Sequence, residues 1–113
     1  MDMLYYIYIG SNRVTIDHLS KITGGMFMAV SSCNKAAKVI DGIRERYNTS
    51  ILYEESTPQK DSQNITFLHK RFPRVYIILI TEGLQKEHRK LYLQAGVTTS
   101  YPFNSNNPIN PFN

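Results

Sequence analysis

The chain has 113 residues, of which 42% are hydrophobic and 19% are charged, and its formal net charge is +4. This composition is typical of one folded domain and excludes a largely disordered chain. The single cysteine, Cys33, excludes an intrachain disulfide and argues against a zinc site.

The basic residues do not form one dense patch. Neither of the two richest groups, residues 69–74 and 86–90, is a dense patch with interleaved aromatic residues of the kind that a nucleic-acid site shows, so we expect no nucleic-acid binding by this domain. No apolar run approaches the ~18 residues of a transmembrane helix, and the N-terminus lacks the basic start of a signal peptide. We therefore expect a cytoplasmic domain without membrane contact of its own, although its parent protein could be membrane-associated.

Five apolar runs rich in β-branched and aromatic residues predict strands. They span residues 4–9, 26–30, 50–54, 74–80 and 97–101. The fourth run carries no charge after Arg74, which predicts a central strand covered on both faces.

Four amphipathic segments separate these strands. Apolar residues three or four positions apart predict helices over 13–22, 34–47, 61–72 and 85–95. Asp61 or Ser62 is expected to cap the third helix, and Pro73 to end it.

The alternation of strands and helices predicts a parallel sheet with right-handed crossovers. We expect an α/β doubly wound three-layer sandwich with a five-stranded parallel sheet of order 2-1-3-4-5. A helix normally follows the fifth strand of such a fold, but residues 104–113 are rich in Asn and Pro and have no helical period. We therefore expect a domain over residues 1–103 and a coil or linker over 104–113, which is consistent with a fragment of a longer protein.

The third strand ends at two adjacent acids, Glu54 and Glu55. Ligands of open α/β sheets bind at the carboxyl ends of the strands, so these acids mark the first candidate site. No Ser/His/Asp or Cys/His arrangement, glycine-rich phosphate loop or metal-spaced cluster is visible in the sequence. We therefore expect no enzymatic activity and no metal or cofactor.

Several segments resemble the receiver domain of two-component response regulators, over about residues 4–103. The most specific are residues 77–81, 86–89, 92–96 and 102–103. Pro58 also follows Glu54 by four residues, as a proline follows the phosphorylated aspartate of that family. The resemblance implies a CheY-like, flavodoxin-like fold and a role in bacterial signal transduction.

The resemblance also assigns the positions of a phosphorylation site, most of which carry other residues here. The phosphorylated aspartate falls on Glu54, and the two Mg²⁺-binding acids fall on Gly10 and Ser11. The lysine falls on Tyr101, whereas the switch hydroxyl is kept as Thr81. Without those acids and that lysine, nothing holds Mg²⁺ or neutralises a phosphoryl group, so we expect a degenerate site.

Three interpretations of Glu54 and Glu55 stay open at this point. They could be solvated or capping acids, carboxylates that imitate a phosphorylated state, or residual phospho-acceptors. A one-residue shift of the alignment would place Glu55 at the acceptor position without restoring the missing groups. The other candidates are expected away from the working strand ends or at the surface: Asp2, Asp17, Asp41, Asp61, His18, His69 and His88.

These features favour a receiver-like regulatory or protein-interaction module that is not phosphorylated, within a larger bacterial protein. The resemblance implies a partner surface near the fourth helix and last strand, with Tyr92, Tyr101 and Phe103 as candidate anchors. The missing last helix would leave apolar surface for a protein partner, a neighbouring domain or a second copy. Two other functions stay open: an atypical phospho-accepting response regulator, and an N-terminal accessory domain of a bacterial enzyme such as a sugar transferase.

Overall fold

A five-stranded parallel sheet lies at the centre of the computed structural model, which describes residues 3–106. The elements in chain order are β1 (Met3–Ile9), α1 (Arg13–Ile22), β2 (Phe27–Val30), α2 (Cys33–Ile43), β3 (Tyr47–Glu54), α3 (Pro58–Arg71), β4 (Tyr76–Thr81), α4 (Lys86–Ala95) and β5 (Thr99–Pro102). Hydrogen bonds join the strands in the order β2-β1-β3-β4-β5, and every pair is parallel. The predicted fold class and strand order are confirmed.

The central strands are apolar on both faces because helices pack against each side of the sheet. Ile51 of β3 is fully buried and belongs to a core that includes Ile40 of α2 and Leu68 of α3. Its neighbour Leu52 points to the opposite face and packs in a second core with Leu19 of α1. The continuous apolar runs of the sequence therefore reflect burial on two sides.

The boundary between α2 and β3 differs from the prediction. The helix ends at Ile43 rather than at Tyr47, and the strand begins at Tyr47 rather than at Ser50. Tyr47, Asn48 and Thr49 lie beside Met3, Leu4 and Tyr5 of β1. Pairing with β1 therefore draws these residues into the sheet, an effect that helical spacing alone does not reveal.

Helix α3 begins three residues earlier than predicted. Pro58 occupies the first turn, where its missing N–H costs no hydrogen bond, and Thr57 is the N-cap residue. Asp61, which was expected to cap the helix, instead lies inside its first turn and is fully buried.

The chain after β5 packs against α1 as far as it is described. The ring of Phe103 stacks on the ring of His18 with centroids 4.2 Å apart. The Asn12 side chain also donates to the Ser105 hydroxyl at 3.0 Å. Residues 107–113, most of the predicted coil or linker, lie outside the described residues.

None of the helices within residues 3–106 is long and apolar enough to span a membrane.

Candidate functional site

The carboxyl ends of the strands surround a polar cavity of about 440 Å³. Its walls come from the β1–α1 loop and the first turn of α1, from the ends of β3 and β4 with the segments that follow them, and from the segment after β5. The lining residues are Ser11, Asn12, Thr15, Glu54, Glu55, Ser56, Ile80, Glu82, Phe103 and Ser105. The two acids selected from the sequence therefore lie in one cavity with Ser11.

The Glu54 carboxylate is half-buried and forms hydrogen bonds within the chain. The Tyr8 hydroxyl donates to Glu54 Oε1 at 2.5 Å, a distance typical of a strong hydrogen bond to a charged acceptor. The Ser11 backbone N–H approaches Glu54 Oε2 at 3.4 Å. Burial, together with the hydrogen bond to Glu54 and its negative charge, raises the pKa of Tyr8, so this hydroxyl keeps its proton and remains a donor. Both oxygens of Glu54 therefore have donors within the protein.

Gly10 leaves the space that this arrangement needs. A Cβ atom at position 10 would lie 2.6 Å from the Tyr8 hydroxyl oxygen and 2.8 Å from both Cβ and Oε2 of Glu54. Real Cβ atoms do not approach other atoms so closely. The Glu54 carboxylate thus occupies space beside a position that the receiver resemblance assigns to a Mg²⁺-binding acid.

Glu55 holds the hydroxyl at the end of the neighbouring strand. Thr81 is 3% exposed, and its hydroxyl donates to Glu55 Oε1 at 2.6 Å. The Thr81 hydroxyl oxygen also accepts from the Gly83 N–H at 3.1 Å. The Glu55 backbone N–H donates to the Ile80 carbonyl at 2.9 Å, which keeps Glu55 next to β4. The Thr81 hydroxyl is therefore engaged as donor and as acceptor.

Tyr101 takes no part in the Glu54 cavity. Its hydroxyl lies 2.8 Å from Nε2 of His18 on α1. The position that the resemblance assigns to a lysine therefore joins β5 to α1.

Solved structures resemble this arrangement of strands and helices, although no family model and no curated protein matches the sequence. A CheY-like protein, tadZ, from Pseudomonas aeruginosa PAO1 superposes with a TM-score of 0.75 at 10% identity, over 90% of this chain and 87% of that chain. This chain has the CheY-like receiver fold.

Two further structures share that fold. A putative pilus assembly-related protein from Burkholderia pseudomallei K96243 has a TM-score of 0.67 at 13% identity, over 88% of this chain and 77% of its own. A putative pilus assembly protein, cpaE, from Burkholderia thailandensis E264 has a TM-score of 0.64 at 14% identity, over 90% of this chain and 85% of its own.

The position of one residue near the strand ends, Asp61, differs from the expectation. Asp61 was expected away from the strand ends, but it lies under the β3–α3 loop and is fully buried. Its carboxylate accepts from the Ser56 N–H at 2.8 Å, from the Tyr92 hydroxyl at 2.9 Å and from the Tyr53 hydroxyl at 3.1 Å. Burial and the charge of Asp61 raise the pKa of Tyr92. Asp61 therefore ties the loop after Glu55 to β3 and α4.

Two of the three predicted partner anchors are buried. Tyr92 is 1% exposed because its hydroxyl turns inward to Asp61, and Phe103 is 4% exposed against His18. The exposed apolar side chains of α4 are instead Leu91 and Leu93. Leu91 and Leu93, on the two sides of Tyr92, are thus more accessible than two of the three aromatic residues singled out from the sequence.

Cys33 is half-buried at the first position of α2. Burial, followed by the negative charge of Asp61, raises the pKa of its thiol. This environment disfavours the reactive thiolate, in agreement with a structural role. Within residues 3–106, no group of three or more His, Cys, Asp and Glu side chains is arranged to hold a metal ion.

The contact between α1 and the segment after β5 should depend on pH through His18. Burial, then the charge of Lys21, lowers the pKa of His18 from its usual 6.5. Below that usual value the unfolded chain binds the proton more readily than the folded chain, so the folded state loses stability as pH falls. We expect urea unfolding to show a larger loss between about pH 7.5 and about pH 5.5 for the native chain than for His18→Gln. Equal losses in the two proteins would contradict this role of His18.

Proposed function

We propose that this chain is a non-enzymatic, receiver-like regulatory or protein-interaction module of a larger bacterial protein, and that its phosphorylation site is lost. The observation that carries the proposal is the internal pairing of its two strand-end groups. Glu54 is bound by Tyr8 and the Ser11 N–H, while Thr81 is bound by Glu55. These internal contacts would hold the strand-end groups in one arrangement without a phosphoryl group.

Phosphoryl transfer needs groups that this cavity lacks. A metal ion must bridge the transferring oxygens, and Mg²⁺ requires oxygen ligands in a nearly octahedral arrangement. Gly10 provides no side chain at one of the expected ligand positions, and Ser11 provides only a hydroxyl at the other. The three glutamates of the cavity, Glu54, Glu55 and Glu82, would repel an incoming phosphoryl donor, since no Lys or Arg lines the cavity.

We therefore expect no phosphoryl adduct after incubation with acetyl phosphate and Mg²⁺. Intact-protein mass spectrometry measures this directly, and a receiver domain with its aspartate intact serves as the positive control. A stoichiometric adduct that disappears in Glu54→Gln or Glu55→Gln would overturn the proposal and favour the atypical phospho-accepting response regulator.

The same proposal assigns a contact surface to the side of the sheet that α1 covers only in part. Leu4 is 43% exposed and Tyr76 is 62% exposed, and both point to the face that carries Tyr8 and Ile80. In receivers this side holds the helix that follows β5. A protein partner, a neighbouring domain or a second copy would bury these side chains, which favours association.

In isolation we expect a concentration-dependent dimer through this face. Tyr76→Ser removes a large exposed aromatic side chain, so sedimentation should show a weaker dimer for the variant. Phe67→Ser on α3, which is 42% exposed on the other side of the sheet, is the matched control and should dimerise like the native chain. A native chain that is strictly monomeric at high concentration would contradict the homodimer.

A further inference from the structure

A larger cavity, of about 830 Å³, lies at the opposite end of the sheet from Glu54. It forms where α2 and α3 end and where β3 and β4 begin, and none of its lining residues is shared with the polar cavity. Its volume is within the range of small-molecule sites. The receiver resemblance assigns no role to this end of the fold.

The wall of this cavity combines apolar surface with positive charge. Val75 and the exposed side chains of Leu4 and Tyr76 provide the accessible apolar part. Arg44, Arg71 and Arg74 provide guanidinium groups. Glu45 is the one carboxylate in the lining, so cationic side chains outnumber anionic ones by three to one. An apolar wall with a few charged groups is typical of a site that orients an amphipathic ligand.

Two of the arginines form surface ion pairs with a residue outside the cavity. Asp41 forms ion pairs with Arg71 and, at 3.7 Å, with Arg44. The Arg71 guanidinium also lies over the Phe72 ring, 5.4 Å from its centroid. Asp41 and the carboxyl ends of α2 and α3 offset part of the positive charge. Arg74 forms no ion pair within the described part of the chain and is available to a ligand.

Thr49 supplies an independent sign that a polar partner is missing. It lines the cavity and is 8% exposed, and its hydroxyl is the one buried side-chain polar atom within residues 3–106 without a hydrogen-bond partner. Buried hydroxyls in folded proteins nearly always have a partner. Because Thr49 lines the cavity, its hydroxyl is a candidate donor to a ligand bound there.

We propose that this cavity binds a small organic anion. A carboxylate, sulfonate or phosphate group would be held by Arg74 together with Arg44, because a guanidinium binds such groups through two parallel hydrogen bonds. The apolar or aromatic body of the ligand would lie against Val75 and Tyr76. The Thr49 hydroxyl would donate to an oxygen of the ligand.

The fluorescence of anilinonaphthalene sulfonate, an aromatic body with one anionic group, tests this site. We expect saturable binding of one molecule per chain that decanoate or adenosine monophosphate displaces. Inorganic phosphate at the same ionic strength should displace little, because it has no body to contact the apolar wall. Whichever organic anion competes better identifies the source as a fatty carboxylate or as a nucleotide.

Three variants locate the binding. Arg74→Gln removes the unpaired guanidinium and should weaken binding about tenfold, the effect of losing one charge-assisted pair. Thr49→Val should weaken binding about threefold without lowering the melting temperature, since replacing an unpartnered hydroxyl by a methyl group removes no internal hydrogen bond. Arg89→Gln on α4, which lies outside the lining, is the control and should bind like the native chain.

Binding that fails to saturate, or that is equal in Arg74→Gln and Arg89→Gln, would overturn the proposal. Amide chemical-shift changes confined to the Glu54 end of the sheet would do the same, because they would assign the ligand to the other cavity. Changes centred on Thr49 and Val75 would support it.

Discussion

Replacing Asp61 by Ala should destabilise the fold more than any other single removal of a polar side chain discussed above. The change leaves three donors without their acceptor: the Ser56 N–H and the hydroxyls of Tyr53 and Tyr92. Asp61 is fully buried, so water cannot replace the carboxylate without entering the core. We expect a loss of about 3 kcal/mol in the free energy of unfolding, a large part of the ~5–15 kcal/mol of a small domain. Urea unfolding followed by circular dichroism measures it.

Removing a single donor of this network gives a smaller change in the free energy of unfolding with which the effect of Asp61→Ala can be compared. Tyr92→Phe removes one hydroxyl and keeps the ring, so it should cost about 1 kcal/mol. Asp17→Ala on the exposed side of α1 is the matched control and should change stability by less than about 0.5 kcal/mol. Because Asp61 and Tyr92 share one hydrogen bond, the double variant Asp61→Ala, Tyr92→Phe should cost less than the sum of the two single changes. Additive costs would show that the network does not act as a unit.

The burial of Asp61 is a feature of this fold that its sequence pattern did not predict. The strand order follows from the alternation of apolar runs and amphipathic segments, and both kinds of pattern are strong here. An aspartate beside a predicted helix start is usually a solvated cap, so its pattern favours the surface. Its burial becomes visible only when Pro58 is taken as the first helical residue, since Asp61 then falls in the first turn, next to the Ser56 N–H. The position of the helix start therefore decides whether the side chain is a cap or part of the core.

The candidate site was predictable in its positions but not in its contacts. Glu54, Gly10, Ser11 and Thr81 were all located from strand ends and from the receiver resemblance. Tyr8 could not be, because its place in an apolar strand indicates only a buried ring. Its hydroxyl meets Glu54 only because Tyr8 and Leu52 are neighbours in the sheet, which places Glu54 one pleat further along the same face. The pairing of residues in adjacent strands cannot be inferred from the sequence of one strand alone.

The side chains that face Gly10 make this position the most sensitive test of the altered site. In Gly10→Ala the new Cβ would lie 2.6 Å from the Tyr8 hydroxyl oxygen and 2.8 Å from Cβ of Glu54. The Tyr8 ring is fully buried and the Glu54 Cβ is fixed by β3, so neither can move far. We expect a loss of about 2–3 kcal/mol in the free energy of unfolding, as for other overpacked sites. Gly10→Asp, which restores the acid of the resemblance, should lose at least as much.

Gly42→Ala provides the matched control for the change from glycine to alanine. Gly42 lies within α2, and a Cβ atom at this position would meet no other part of the fold within 4 Å, so alanine should stabilise the helix by about 0.5–1 kcal/mol. In the Tyr8→Phe background the closest contact of the new Cβ is gone, so Gly10→Ala should cost less there than in the native chain. If Gly10→Ala were as well tolerated as Gly42→Ala, Glu54 would not be packed against Gly10 and the internal pairing behind the proposed function would fail. If the cost falls as expected in the Tyr8→Phe background, Gly10, Glu54 and Tyr8 form one packed unit that an acid at position 10 cannot enter.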